Sequence, residues 1–236
     1  MTNERTALLI GEDSAGRLRQ ATVLVVGCGG VGGMAVESLA RSGIGHLILI
    51  DRDEVEMSNT NRQLAALQNT VGQIKVEVLA DRIRQIDPSI RVTAIHDFYD
   101  RDMNTRLDEL KPGFVLDCID SLRAKEDLIE YCVSRRIPFV SSMGMARRRD
   151  PSRLRITELD QTAGDPLAKR LRVWRRKQRL RGRIPVCCSD ELPQPAEAGS
   201  PLPSMMFVPA SAGLLMGAEC VRILSQPEAD AKHERN

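Results

Sequence analysis

Aromatic side chains are scarce in this chain: Phe, Trp and Tyr together make up 3% of its 236 residues. The core must therefore be aliphatic, and aromatic platforms for stacking bases must be few. No two of the six cysteines form a CxxC pair, which argues against a four-thiolate zinc site. The first twenty residues lack the basic and then apolar pattern of a signal peptide. We therefore expect a cytoplasmic protein with reduced thiols and no structural zinc.

Long apolar runs are also rare. The stretch FVPASAGLLMGAECVRIL, residues 207–224, approaches the length of a membrane span. Pro209 interrupts this stretch, and Glu219 and Arg222 lie near its end. Charges and a proline in these positions disfavour a place in lipid. We predict a buried or interface helix and no membrane association.

The formal net charge of +2 hides a segregation of charge along the chain. Residues 147–183 contain 14 Lys and Arg but only 4 Asp and Glu, a balance of +10. The rest of the chain has a balance of −8. A basic segment carried on an acidic body points to a polyanionic partner.

Apolar, β-branched runs alternate with amphipathic stretches over the first 144 residues. This alternation predicts an α/β, Rossmann-like, doubly wound and mostly parallel sheet. Strands are predicted over 21–27, 46–51, 90–97, 114–120 and 137–144. Helices are predicted between them, over 31–43, 71–88, 101–111 and 123–136.

The second half of the chain has a different pattern. We expect one domain over residues 1–236, with a core over about 5–144 and a C-terminal extension over about 145–225. In the extension, strands are predicted over 152–159 and 184–189, a basic helix over 165–182, and the apolar helix described above. A mobile Pro/Gly/Ser-rich loop is expected over 190–204, and a disordered tail over about 226–236.

A glycine turn joins the first predicted strand to the first predicted helix. Gly27, Gly29 and Gly32 form a GxGxxG pattern, in which backbone N–H groups can approach a phosphate at a helix N-terminus. Asp51 ends the second predicted strand, where it could bond a ribose hydroxyl. Taken alone, this pattern fits NAD, FAD or ATP.

Cations near the turn distinguish these nucleotides. The segment SNTNRQ follows the second strand and supplies Ser58, Asn59, Asn61, Arg62 and Gln63. Lys75 follows near the start of the next predicted helix. Two cations suit a triphosphate, whose charge rises as pyrophosphate leaves, better than a dinucleotide already held by the glycine turn. A solvated surface charge remains the alternative for each residue.

Asp120 is predicted to end the fourth strand at the carboxyl edge of the sheet, where such folds bind ligands. One carboxylate there can hold Mg²⁺, with phosphates and waters completing its shell. The sequence therefore favours a site for ATP and Mg²⁺.

The motifs GCGGVGG, LIDRDEVEMSNTNRQ, VGQIKVEV and LDCIDS resemble the adenylating domain of ubiquitin-activating-like enzymes of the ThiF and MoeB type. This family includes bacterial proteins that adenylate sulfur-carrier proteins. The resemblance implies a homodimer in which Arg5 reaches the partner's ATP. Ser121 stands where the family often has asparagine, which is a minor departure. The nucleotide-binding residues that the resemblance and the glycine pattern imply are Gly27, Gly29, Gly30, Gly32, Asp51, Ser58, Asn59, Arg62, Lys75, Asp120 and Ser121.

The remainder of the chain narrows the resemblance. RTALLIG, DPSRLRITELDQTAGDPLAKRLR and VCCSDELP are similar to the tRNA threonylcarbamoyladenosine dehydratases within this family. That similarity implies tRNA as the substrate, with ATP-dependent adenylation of the threonyl carboxylate followed by ring closure and loss of AMP. The catalytic residues implied are Arg62, Lys75, Asp120 and the partner's Arg5. A sulfur-transfer system stays open as a further partner.

Two features carry alternatives. Cys187 and Cys188 could form a thioester, as crossover-loop cysteines of relatives do, but two thiols on a strand with one of them buried is the favoured interpretation. The run 169–183 has nine cations and no acids, and Trp174 lies within it. It favours phosphate contacts over a merely solvated face, while Trp174 is expected to pack the helix to the body rather than stack on a base. The predicted tRNA contacts are Arg172, Arg175, Arg176, Lys177 and Arg179.

Two rival functions remain at this point. The first is adenylation of the C-terminus of a small ubiquitin-like sulfur-carrier protein, which needs the same ATP site but not the basic segment. The second is a nucleotide-binding module without ligase chemistry. Release of pyrophosphate with any acceptor separates an enzyme from this module.

Overall fold

Seven strands form one sheet in the computed structural model, which describes residues 4–197 and 199–227. The strands are β1 (Thr22–Val26), β2 (His46–Ile50), β3 (Arg91–Ile95), β4 (Phe114–Asp117), β5 (Phe139–Ser142), β6 (Leu154–Glu158) and β7 (Pro185–Ser189). Their order is β3-β2-β1-β4-β5-β7-β6, and only the β6–β7 pair is antiparallel. The predicted Rossmann-like, mostly parallel α/β fold is confirmed.

Helices connect these strands. The α-helices of the described residues are α1 (Glu4–Ile10), α2 (Glu12–Gln20), α3 (Gly30–Ser42), α4 (Lys75–Ile86), α5 (Asn104–Leu110), α6 (Leu122–Arg135), α7 (Pro166–Gln178) and α8 (Phe207–Leu224). The sequence pattern did not indicate α1 and α2, which are short. The predicted helix over 101–111 is a 3₁₀ turn at Arg101–Met103 followed by α5.

Five adjacent strands, β2, β1, β4, β5 and β7, are buried almost throughout, whereas the edge strands β3 and β6 are partly exposed. In β1, Val23 and Val25 pack with α2, α3, α4 and α8, whereas Leu24 and Val26 pack with α5, α6 and α7. The strands of the extension belong to the same sheet, since β7 pairs with β5 on one side and with β6 on the other. Core and extension therefore share one sheet and both apolar layers.

The apolar helix α8 is long and apolar enough to cross a membrane by length and composition alone. Its Ala212, Met216 and Cys220 are fully buried in the core, and α3 is its main neighbour. Phe207 and Leu214 remain exposed on its other face. The arrangement is that of a core helix with one open side, in agreement with the predicted buried or interface helix.

Two of the predicted boundaries that differ from the structure do so for clear local reasons. Helix α4 begins at Lys75 rather than at residue 71, because Gly72 has a φ of +83° and Ile74 forms a short antiparallel bridge with Glu54. Strand β4 ends at Asp117 rather than at Asp120. The Asp117 carboxylate accepts a hydrogen bond from the Ile119 N–H (3.1 Å) and turns the chain there.

The loop over 190–204 contains no helix or strand among its described residues, and it contacts the body at several points. The Glu191 carboxylate accepts from the N–H groups of Arg149 and Asp150 (2.9–3.1 Å). The Arg147 carbonyl accepts from the Gln194 N–H (2.8 Å). The predicted disordered tail lies, from residue 228 onwards, outside the described residues.

Candidate nucleotide site

The site lies where the strand order reverses. β1 and β4 are neighbours, and the helices that follow them, α3 and α6, pack on opposite faces of the sheet. Such a reversal leaves a crevice at the carboxyl ends of the two strands, which is where open α/β sheets bind ligands. The glycine turn after β1 and the loop after β4 form the two sides of this crevice.

Two positions of the glycine turn cannot carry a side chain. Gly27 has a φ of +87°, and a Cβ there would lie 2.6 Å from the Cys118 carbonyl oxygen. A Cβ on Gly32 would lie 1.8 Å from the Gly27 carbonyl oxygen. Gly29 caps α3 without a side-chain hydrogen bond, so the N–H groups of the first turn are left for water or a ligand. This is the arrangement by which a helix N-terminus binds phosphate.

Asp51 holds the turn in place. One carboxylate oxygen accepts from the Cys28 N–H (2.6 Å) and the other from the Asp53 N–H (2.8 Å). These bonds fix the carboxylate beside the turn, and each oxygen keeps a second lone pair for a ribose hydroxyl. Asp51 thus lies where the sequence predicted it.

The polar segment after β2 folds into a 3₁₀ turn, Met57–Asn59, that brings Arg62 and Gln63 to the glycine turn. Asn59 is buried and accepts from the Glu56 N–H (3.1 Å), while the exposed Ser58 donates to the Glu56 carboxylate (3.0 Å). Ser58 and Asn59 therefore shape this segment. An added Cβ on Gly30 would lie 3.4 Å from the Arg62 carbonyl oxygen, which shows how closely the two segments approach.

The Arg62 and Gln63 side chains differ in their partners. One guanidinium nitrogen of Arg62 donates to the Ser58 carbonyl and to the Asn61 side chain, both at 2.8 Å. The amide oxygen of Gln63 is buried and has no hydrogen-bond partner among the described residues. An unsatisfied buried acceptor beside a glycine turn is a place for a bound donor.

Lys75 is the first residue of α4, and its side chain is only 5% exposed. Its ammonium donates to the Asp53 carboxylate at 3.0 Å. Burial raises the pKa of the Cys28 thiol well above its ordinary value; Asp51 raises it further and Lys75 opposes this. Asp53 donates its N–H to Asp51, which in turn holds the glycine turn, so the charge of Lys75 lies close to that turn. Asp53, which orients Lys75, was not among the predicted site residues.

Asp120 lies three residues beyond the end of β4, in the loop that leads to Ser121 and α6. Its carboxylate is exposed, and Ser121 caps α6 without a side-chain hydrogen bond. Within the described residues, no three His, Cys, Asp or Glu side chains cluster as metal ligands. One free carboxylate at the crevice fits Mg²⁺, which is commonly bound by one or two carboxylates together with substrate phosphates.

A fully buried charged cluster lies beneath this loop. The Lys125 ammonium donates to the Asp117 carboxylate at 2.8 Å, and the Ser141 hydroxyl donates to the same carboxylate oxygen at 2.5 Å. This cluster was not predicted from the sequence. Lys125 shares the buried stripe of α6 with Leu128, Ile129 and Cys132, and a lysine on such a stripe indicates a buried partner.

Three other predicted residues lie outside the segments that form the crevice. Arg5 is exposed on α1, which packs against α2. Cys187 and Cys188 are both buried, on opposite faces of β7, so the expectation that only one thiol is buried was wrong. Burial raises the pKa of Cys187 to about 12 and also raises that of Cys188. Two thiols held neutral inside the sheet are poor nucleophiles in this conformation.

The basic helix α7 does not present all its cations to solvent. Trp174 is buried, as predicted. Arg172 donates to the Thr162 carbonyl (2.9 Å), and Arg175 pairs with Asp160 (2.6 Å) and donates to the Gly182 carbonyl (2.6 Å). Arg172 and Arg175 thus tie α7 to the body, because they flank its buried stripe. Arg176, Lys177 and Arg179 are exposed.

Comparisons with known proteins agree with this geometry. The model of the ThiF family matches residues 3–236. The chain is 38% identical over 233 residues to the tRNA threonylcarbamoyladenosine dehydratase of Bacillus subtilis (strain 168), covering 92% of each chain. It is 46% identical over 167 residues to the dehydratase of the same name from Escherichia coli (strain K12), covering 71% of this chain and 62% of that protein. The crystal structure of the E. coli tRNA N6-threonylcarbamoyladenosine dehydratase in complex with ATP superposes with a TM-score of 0.88 at 36% identity, covering 98% of this chain and 96% of that one.

Proposed function

Because this chain belongs to the ThiF family, we propose that it is an ATP-dependent enzyme that cyclises threonylcarbamoyladenosine in tRNA with loss of water. The main observation behind this proposal is that Asp51, Arg62 and Lys75 lie around the glycine turn at one crevice. The fold also matches that of an ATP-bound dehydratase over nearly its full length. The confirmed family resemblance supports the same conclusion. Because the proposed substrate is tRNA, we place the enzyme in the cytoplasm.

The first step makes the carboxylate reactive. A threonyl carboxylate oxygen attacks the α-phosphorus of ATP, the bond to the β-phosphate bridging oxygen breaks, and pyrophosphate leaves. The N–H groups at the start of α3 hold the phosphates, and Asp51 accepts from a ribose hydroxyl. Lys75 and Arg62 are the cations for the charge that accumulates on pyrophosphate.

The second step needs no nucleophile from the protein. A nucleophilic atom of the same threonylcarbamoyl group attacks the activated carboxyl carbon, a proton is lost to solvent, and AMP leaves with the electrons of the broken C–O bond. Ring closure within one bound nucleoside gains from proximity. The protein holds the nucleoside and AMP together and excludes competing water.

Mg²⁺ is part of the proposal. Asp120 would hold it by one oxygen beside Ser121, with the phosphates of ATP supplying further ligands. When bound, the ion would neutralise phosphate charge.

Incubation of the purified protein with ATP, Mg²⁺ and tRNA bearing the modification tests the function. Mass spectrometry of the digested nucleosides should show loss of water from threonylcarbamoyladenosine, with AMP and pyrophosphate formed in equal amounts. Pyrophosphate release with a carrier protein of a sulfur-transfer system, but not with tRNA, would identify the rival adenylating function. No release with either acceptor would leave a nucleotide-binding module.

Double replacement of Cys187 and Cys188 by serine is expected to leave cyclisation largely intact, because both thiols are buried in the sheet, where burial raises their pKa. The measurement is the rate of nucleoside dehydration, with circular dichroism as the folding control. Loss of cyclisation in a folded variant that still exchanges pyrophosphate into ATP would instead indicate a thioester step.

A homodimer completes the proposed site. Arg5, Leu8 and Leu9 share one face of α1 by their spacing, and Leu8 and Leu9 are 80% and 85% exposed. Such side chains suit a subunit contact that carries Arg5 to the partner's ATP. Mixing inactive Arg5→Ala with inactive Lys75→Ala protein should restore part of the activity, since heterodimers contain one intact site. A monomer in light scattering at assay concentration contradicts this scheme.

The exposed cations at the end of α7 and directly after it are proposed to contact tRNA phosphates. Arg176, Lys177 and Arg179 serve this role, while Arg172 and Arg175 hold the helix in place. Replacing Arg176 and Arg179 by glutamine should lower tRNA affinity and flatten its log–log salt dependence by about 0.9 for each charge removed. ATP binding without tRNA should not change. If this variant keeps the wild-type tRNA affinity and salt dependence, these cations are only solvated and do not contact tRNA.

A further inference from the structure

A groove of about 590 Å³ runs between α6 and α7, outside the nucleotide crevice. This volume lies within the range of pockets that hold small ligands. Leu122, Val173 and Trp174 give the groove an apolar floor, and Lys169, Arg170 and Lys177 supply cations. Glu126 and Pro166 complete the lining.

The positions of the lining residues on α7 explain the groove. Pro166, Lys169, Arg170, Val173, Trp174 and Lys177 recur at intervals of three and four residues, so they form one face of the helix. This face is about 16 Å long at 1.5 Å per residue. Val173 is 39% exposed, so the apolar floor is open to solvent.

The groove begins at the same sheet edge as the nucleotide crevice. Leu122 is the first residue of α6 and follows Ser121 directly. At the start of α7, the Asp165 carboxylate accepts from the Ala168 N–H (2.9 Å), from the Gly144 N–H just beyond β5 (3.1 Å) and from the buried Arg148 (2.7 Å). Both helices therefore start at the carboxyl ends of β4 and β5, and the groove leads away from that edge.

The chemistry of the groove is that of a single-stranded nucleic-acid site. The groove has three cations beside an apolar floor. The cations suit the charged backbone of a nucleic acid, and the floor suits the flat faces of its bases. A duplex stem keeps its bases stacked inside and could reach only the cations. Glu126 is half-buried in the lining, and its burial raises its pKa while Arg123 and Arg170 oppose the shift. Its carboxylate can accept from the exocyclic amino group of a base.

We propose that the groove between α6 and α7 binds an unpaired nucleotide of the substrate RNA, next to the adenosine that reacts at the sheet edge. This inference rests on the proposed function. The base lies on Val173 and Leu122 at the edge of Trp174, and the adjoining phosphates contact Lys169, Arg170 and Lys177. The groove thereby selects an open RNA loop over a paired stem.

Two matched variants test the proposal with RNA binding alone. Val173→Glu and Gln178→Glu each add one carboxylate to α7, the first inside the groove and the second at an exposed position outside its lining. The probes are two fluorescent RNAs of equal length, a hairpin with an open loop and a fully paired stem. Val173→Glu should weaken binding of the open-loop RNA by about ten-fold or more. It should weaken binding of the paired RNA no more than Gln178→Glu does. Val173→Gln should show the same selective loss, smaller in size, without an added charge.

Three outcomes overturn the proposal. The first is an equal loss of open-loop RNA affinity in Val173→Glu and Gln178→Glu. The second is an equal loss of affinity for open-loop and paired RNA in Val173→Glu. The third is displacement of the open-loop RNA by an acidic peptide of equal charge. Thermal melting confirms that the variants are folded. The binding assay involves no catalysis, so its result is independent of the cyclisation assay. Selective RNA binding without cyclisation of modified tRNA would refute the proposed function alone. Cyclisation by the wild-type protein, together with unaltered RNA binding by Val173→Glu, would refute the proposed role of the groove alone.

Discussion

Lys75→Ala is expected to lower ATP-dependent turnover by about two orders of magnitude or more, the scale of losing a preorganised charge in a shielded site. The ammonium of Lys75 is buried and oriented by Asp53, so it needs no rearrangement to stabilise the leaving pyrophosphate. Arg62→Ala should have an effect of the same order. Single-turnover formation of AMP is the measurement, because it isolates the chemical steps from product release.

The matched control for Lys75 is Arg84→Ala, which removes an exposed cation from the same helix. It should leave turnover within about two-fold of wild type, as expected for a surface charge. Asp120→Asn extends the test to the metal, because it should raise the Mg²⁺ concentration needed for half-maximal activity. Normal turnover in folded Lys75→Ala and Arg62→Ala proteins would remove both cations from the mechanism, and an unchanged Mg²⁺ titration would make Asp120 structural.

Lys125→Met is expected to lower the free energy of unfolding by about 3–5 kcal/mol, because it leaves the Asp117 carboxylate buried without its cation. The Ser141 hydroxyl and the Ile119 N–H would still donate to that carboxylate, but neither carries a charge. Urea unfolding followed by circular dichroism measures the loss.

Arg135→Met is the matched control, since Arg135 pairs with Asp108 on the exposed side of the same helix. Its cost should stay below about 1 kcal/mol. The double variant Asp117→Asn, Lys125→Met should be more stable than Lys125→Met alone, because it removes the uncompensated charge. Equal losses of unfolding free energy in Lys125→Met and Arg135→Met would show that the buried ion pair matters no more for stability than the exposed one.

The sequence was sufficient to predict the sheet, the glycine turn and the position of Asp51, because these depend on neighbours in the chain. An apolar run that ends in glycine specifies a strand and a turn without reference to the rest of the fold. The extra length assigned to β4 had a local cause too, but a single side-chain bond from Asp117 to the Ile119 N–H decided it. Such a bond leaves no periodic signal.

The partners of charged side chains were the least predictable part. Asp53 and Lys75 are 22 residues apart, and the antiparallel bridge between Glu54 and Ile74 brings them together. On α7, however, the sequence could have shown which cations bond to the body and which face solvent. Leu167, Leu171 and Trp174 mark the inward stripe at helical spacing, and Arg172 and Arg175 flank it.

The Asp165 carboxylate joins three parts of the chain that would otherwise be separate: the backbone after β5 at Gly144, the loop at Arg148 and the first turn of α7 at Ala168. Arg148 and Asp165 have fully buried side chains, so water does not compete for their bond. Helix α7 is thus anchored at its start to the sheet edge, and its buried face packs into the same apolar layer as α6. Under the proposed binding of RNA along α7, the helix would act as a ruler: a nucleotide would reach the crevice according to its distance along the strand.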